Sequence, residues 1–175
     1  MKNKKVIKIC FTGLMAAIIA VFTAFVKMPT GINDGYLHFG DSMIYLAACL
    51  LGPLGALAGA IGGALADILA GSAVWAIPTA IIKACNAVPF IIMMSLYKKK
   101  TGKNKIINWY TVPMVVVSAL ITSFGYLLAE GLMYSFPTAW TSVPFSIIQA
   151  VGSAVVFIII GLALDAVKIQ KYIKD

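Results

Sequence analysis

Arginine is absent from this 175-residue chain, histidine occurs once, at His38, and only 11% of the residues carry charge. Each shortage excludes something. One histidine cannot supply the paired ligands of an H-E-x-x-H metal site. A nucleic-acid surface calls for arginine interleaved with aromatics, so the formal net charge of +8 does not point to nucleic acid. A soluble domain keeps about a quarter of its residues charged. With less than half of that, the surface could not stay in water, and lipid must be the solvent. The chain also lacks a G-x-S-x-G elbow, a phosphate-binding loop and a carboxylate pair at helical spacing. It is therefore read as non-enzymatic, without cofactor or metal. Cys10, Cys49 and Cys85 lie in apolar sequence without ligand spacing and read as small hydrophobes.

What the chain does have is apolar length: 61% of it is hydrophobic, and its mean hydropathy is +0.96. Apolar runs cover Val6–Val26, Ser42–Ala70, Ile77–Tyr97, Thr111–Met133 and Val143–Val167. The first follows lysines as a signal peptide would, but it is too long for an h-region and no A-x-A site follows it. The second could be one tilted helix or two short ones broken at Gly52-Pro53, because proline kinks membrane helices without ending them.

The basic residues decide between these options. All 14 are lysines, and 12 fall in three clusters: Lys2, Lys4, Lys5 and Lys8; Lys98, Lys99, Lys100, Lys103 and Lys105; Lys168, Lys171 and Lys174. Each cluster flanks an apolar run, as cytoplasmic loops do under the positive-inside rule. Placing all three on one side requires an even number of crossings between Lys8 and Lys98, and only a break at Gly52-Pro53 provides it. The reading is an all-α integral membrane protein of six transmembrane helices, at about 6–26, 42–51, 54–70, 77–97, 111–133 and 143–167. Residues 1–175 form one domain, and both termini are cytoplasmic. The short second helix, at about 15 Å, has to lean on its neighbours. The outer connections are Lys27–Asp41, Gly71–Ala76 and Tyr134–Ser142. The first, with turn formers Pro29, Gly31, Asn33, Asp34 and Gly35, is long enough to act as a lid.

Ionisable groups inside membrane spans are costly and mark function. Asp67, near the outer end of the third helix, and Lys83, in the outer part of the fourth, have matching depths and are expected to pair. Such a pair can be a way of tolerating two buried charges or a direct ligand contact. Asn86 lies at i+3 from Lys83 and shares its face. Glu130 has Tyr126 at i−4, Gln149 has Ser153 at i+4, and His38 and Asp41 stand at the mouth of the second helix. Each has a bland alternative: an interfacial histidine, a headgroup carboxylate, or an interhelical glutamine. For Trp75, Trp140, Tyr36 and Tyr134 it is an aromatic belt. Their shared outer half nevertheless suggests a polar cavity opening outward, suited to a small, partly flat molecule. Gly55, Gly59 and Gly63, with Ala56, Ala60 and Ala64 beside them, leave one face of the third helix nearly bare for close packing.

Three stretches in order, His38-Phe39-Gly40-Asp41-Ser42, Leu51-Gly52-Pro53-Leu54-Gly55-Ala56 and Gly62-Gly63-Ala64-Leu65-Ala66-Asp67, resemble the S component of energy-coupling factor (ECF) transporters, of the riboflavin-type group. The resemblance runs over essentially the whole chain. It implies a substrate-binding subunit in the bacterial plasma membrane that captures a vitamin or similar heterocyclic micronutrient from outside. It also implies a transmembrane coupling protein (the T component) and two cytoplasmic ATPases as partners. The family's A-x-x-x-A docking motif is matched by Ala16 and Ala20, with Gly13 and Ala17 extending the surface. Its ligand contacts, drawn from the fourth to sixth helices and outer loops, favour Lys83, Asn86, Tyr126, Glu130, Trp140 and Gln149, with His38 and Asp67 beside them. The competing reading is a self-contained secondary transporter or channel, which would call for inverted repeats and ion sites reachable from both faces.

Overall fold

A short helix enclosed by longer ones organises the molecule. The computed structural model describes residues 2–29 and 36–174. In order, α1 covers Lys2–Ala24, α2 Gly40–Leu51, α3 Pro53–Leu69, α4 Ala76–Thr101, α5 Met114–Met133, α6 Phe136–Ala166 and α7 Gln170–Lys174. The stretch between α1 and α2 forms a small antiparallel hairpin of β1 (Lys27–Pro29) and β2 (Tyr36–His38), with Lys27 opposite His38. The turn formers Gly31, Asn33, Asp34 and Gly35 of the expected lid lie outside the described residues.

Among the described residues four helices are long and apolar enough to cross a bilayer by themselves: Lys5–Ala24, Ala73–Thr101 (counting the 3-10 turn that leads into α4), Met114–Met133 and Phe136–Ala166. The 12 residues of α2 and 17 of α3 fall below that length. They are separated at Gly52, whose φ of 63° is the left-handed conformation that favours glycine, and Pro53 then occupies the first turn of α3. Every residue of α2 from Gly40 to Cys49 is buried, against α1, α3, α4 and α6. This apolar segment is hydrophobic all round because protein surrounds it.

Close approach of backbones holds the centre together. A Cβ on Gly62 would lie 2.6 Å from the Ala16 carbonyl oxygen, so α1 and α3 touch almost backbone to backbone. On the other side of α3, Gly63 leaves room for the Lys83 stem and the Thr79 methyl of α4. The stripe of Gly55, Gly59 and Gly63 expected to be bare thus packs against α2 and α4, while Gly62, outside that stripe, meets α1.

Among the helix starts that differ from the expectation, two have a visible local cause. α6 begins at Phe136, within the stretch expected to be an outer loop. Ser135 caps it by accepting from the Thr138 amide at 3.4 Å, and Pro137 suits the first turn. α5 begins at Met114, later than Thr111. Asn108 Oδ1 accepts from the amides of Tyr110 and Thr111, and the Thr111 hydroxyl donates to the Ile106 carbonyl, which keeps this segment in turns. Asp165 near the end of α6 ties down the same loop by accepting from the amides of Ile106 and Ile107 at 2.8 and 2.9 Å.

Candidate functional site

Asp41 sits in the first turn of α2, where the helix dipole favours an anion. One carboxylate oxygen accepts from Lys83 Nζ of α4 at 2.6 Å, and the other accepts from Gln149 Nε2 of α6 at 2.9 Å. The Gln149 side-chain oxygen in turn accepts from the His38 amide at 3.3 Å, which joins the β1–β2 hairpin to the bundle. Lys83 and Asp41 are each 1% exposed. With so little water present, the pair is favourable only because its hydrogen-bonding capacity is shared with Gln149.

Lys83 is therefore paired with Asp41, which corrects the expected Asp67 partnership. Asp67 is buried on α3, close enough to both Lys83 and Tyr126 to act on them electrostatically. Equal depth identified two nearby charges, but depth does not fix azimuth. The partner came from a helix whose N-terminus points into the bundle.

Aromatic rings complete the wall. Lys83 Nζ lies 5.2 Å from the Tyr126 ring centroid, within cation–π range, and the Tyr126 hydroxyl shares a 3.1 Å hydrogen bond with Thr79. Trp75 lies 5.9 Å from Tyr126 and stacks on Tyr134 at 6.1 Å, centroid to centroid. Its burial at the mouth of the site replaces the membrane-belt alternative for this residue.

His38 is buried with them, and its Nδ1 accepts from the Gly40 amide at 3.1 Å. Burial first, and then the positive charge of Lys83, push its pKa down to about 3, against the opposing pull of Asp41. The imidazole is thus neutral at physiological pH and can serve as an acceptor in the hairpin turn.

The structure brings His38, Lys83, Tyr126 and Gln149 into one network, with Asp67 beside it. Asn86 lies one turn deeper and is fully buried, its carbonyl accepting from the Ser118 hydroxyl at 2.8 Å. Glu130 lies one turn further along α5 from Tyr126 and accepts from the Ser142 hydroxyl of α6 at 2.9 Å. Trp140 is exposed on α6, outside this network. On α1, Ala16 and Ala20 are buried while Gly13 and Ala17 are exposed. Gly13, Ala16 and Ala17 line an apolar groove of about 390 Å³ with Leu54, Leu57, Ile61 and Leu65 of α3.

Sequence reasoning left Asp41 at the mouth of the site when it is the hub, and passed over Thr79 as a contributor. The signal for Asp41 was its place at the polar start of an otherwise apolar short helix. Among the described residues no three His, Cys, Asp or Glu side chains group as metal ligands. The donors, acceptors and aromatic faces of the site suit binding.

Comparison with known proteins agrees with this architecture. The family model for "ECF-type riboflavin transporter, S component" matches residues 3–166. An "Uncharacterized protein in gap 3'region" of Pyrococcus woesei is 33% identical over 139 residues, which cover 79% of this chain and 88% of that protein. A buried polar network enclosed by apolar helices, together with a family match over nearly the full length, identifies a multi-pass membrane protein and not an enzyme: the chain belongs to the ECF transporter S components, the substrate-binding subunits of these transporters.

Proposed function

We propose that this subunit captures a vitamin or similar small heterocyclic micronutrient from outside the cell and delivers it for ATP-driven uptake. The observation that carries this reading is the buried network of Lys83, Asp41 and Gln149, roofed by the hairpin at His38 and walled by Tyr126 and Trp75. Buried polar groups on three helices are expensive to maintain in a membrane protein and mark its site of action. Aromatic faces beside them suit a flat ring. The family's name makes riboflavin the first ligand to try.

In this reading the protein is one transmembrane binding domain of six helices, with α2 and α3 as its inner pair. It lies in the plasma membrane with both termini and the lysine-rich α4–α5 loop on the cytoplasmic side. It works with a T component and two ATPases. Gly13, Ala16, Ala17 and Ala20 form the docking face, and the apolar α1–α3 groove supports that assignment because a partner helix could lie along it.

The test is a thermal-shift titration of the purified chain in detergent with riboflavin and a panel of other vitamins. A ligand at 100 times its Kd stabilises the fold by about 2.7 kcal/mol, which is readily seen. A shift with one compound names the cargo; no shift with any of them overturns the reading of a dedicated vitamin-binding subunit.

A further inference from the structure

One helical turn below the ion-paired network is a second tier of different chemistry. Each helix that supplies the upper tier supplies this one too: Tyr45 follows Asp41 at i+4, Asn86 follows Lys83 at i+3, Ser153 follows Gln149 at i+4, and Thr122 precedes Tyr126 by four. Contacts fix their common level. The Tyr45 hydroxyl faces the Asn86 side chain. Ser118, one turn inward of Thr122, bonds the Asn86 carbonyl. Phe157, one turn inward of Ser153, packs 5.2 Å from Phe90 and 5.7 Å from Tyr45. With Tyr45 stacked on Phe90 at 4.5 Å, the three rings form an aromatic floor.

The tier is almost completely buried: Tyr45, Asn86 and Ser153 are 0% exposed and Thr122 2%. Yet the Tyr45 hydroxyl and the Asn86 amide, though they face each other, make no hydrogen bond of good geometry with any side chain, and the Thr122 and Ser153 hydroxyls make none at all. Buried polar atoms are nearly always satisfied, because each exception forfeits its hydrogen bonds to water without replacing them. Five such atoms from four helices at one level are hard to reconcile with a purely structural core.

From this arrangement we infer that Tyr45, Asn86, Thr122 and Ser153 form an inner subsite that reads the uncharged hydrogen-bonding edge of the ligand. The ligand class is a planar ring with an amide- or imide-type edge. Asn86 presents a donor and an acceptor side by side, the complement of an adjacent C=O and N–H. The three hydroxyls can serve as either, and no charge stands in the tier. The Lys83–Asp41–Gln149 tier lies above it, so a ligand reaching the inner subsite parts or reorients that network on entry. This inference rests on the small-molecule capture proposed above.

The experiment separates the two. Thr122→Val, Ser153→Ala and their double variant are purified in detergent, and melting is measured without ligand. A subsite reserved for ligand predicts unchanged or higher melting temperatures, because unpartnered polar atoms are removed. A fall of several degrees in both single variants means that the hydroxyls have structural partners and overturns the inference, whatever the ligand. Riboflavin, as probe, is then titrated into wild type and variants beside its N3-methyl analogue, in which the imide N–H is blocked. Affinity for riboflavin should fall at least tenfold in the double variant, and the penalty for N-methylation should shrink there. Unchanged riboflavin affinity in the double variant overturns the inner subsite while leaving capture intact. If neither riboflavin nor any other panel vitamin binds wild type, capture itself fails and the subsite fails with it.

Discussion

Lys83 and Asp41 meet at 2.6 Å between α4 and α2, each 1% exposed, and Gln149 occupies the other oxygen of the same carboxylate. Three helices are thereby joined through one carboxylate. Removing either charge strands the other in a nearly water-free interior, which costs about 3–5 kcal/mol. Asp41→Asn and Lys83→Met should each lower stability by this order, while the double variant recovers most of the loss because no lone charge remains. Denaturation in detergent of the four proteins makes the cycle. Additive losses would show that the two side chains are not energetically coupled.

Lys83 also bears on ligand binding. Lys83→Ala should weaken binding at least tenfold in protein that remains folded, if the amine faces the cavity. Calorimetric titration with the ligand found in the vitamin panel measures this directly, with far-ultraviolet circular dichroism as the control for folding. Unchanged affinity would leave Lys83 a structural partner of Asp41 alone.

His38 makes stability dependent on pH in a defined window. Its folded pKa of about 3 lies below the ordinary value of 6.5, so the unfolded chain binds the extra proton first. The contribution is therefore complete above about pH 6.5 and is lost progressively as pH falls toward 3. Between pH 6.5 and 5 that amounts to about 2 kcal/mol from this residue. His38→Gln should flatten the acid side of the stability profile by that amount, as read from melting at each pH. An identical slope in variant and wild type would mean that other groups carry the acid sensitivity.

Much of this was legible in the sequence, and the illegible parts have physical causes. Hydrophobic runs gave the helices because lipid imposes length and apolarity along the chain. Lys83, Gln149 and Tyr126 stood out because polar groups are conspicuous in apolar runs. Pairing was not legible: Lys83 has Asp41 and Asp67 within its reach, and the choice depends on how α2 is rotated inside the bundle. The start of α6 lay inside the stretch expected to be an outer connection, where Pro137 suits a first turn and a long membrane helix tolerates Pro144. The inner tier was invisible for a simpler reason. Tyr45, Thr122 and Ser153 are mildly polar residues common in any membrane helix, and only their convergence at one depth makes them notable.

Gly62 tests the packing of α1 on α3. Even one methyl there would press on the Ala16 carbonyl, and backbone cannot yield as a flexible side chain can. Gly62→Ala should cost about 1–3 kcal/mol as overpacking, measurable as a lower melting temperature. Gly13→Ala is the control, since nothing lies within 4 Å of a Cβ at that position. Equal effects of the two changes would remove the close helix contact as an explanation for the glycine.

Docking is best probed at the exposed half of the small-residue stripe. Ala16→Leu and Ala20→Leu should abolish uptake, but both residues are buried, so either change can also disturb the contact of α1 with α3. Gly13→Leu and Ala17→Leu add bulk where α1 is exposed along the groove beside Leu57 and Ile61, and leave the ion-paired network untouched. Uptake by cells producing these variants should fall at least tenfold, because a leucine keeps a partner's helix several ångströms away. Ligand affinity of the purified variants should stay within twofold of wild type. Normal uptake in both would move the docking face off this side of α1, whereas loss of uptake together with ligand binding would mean that the groove supports the binding fold itself.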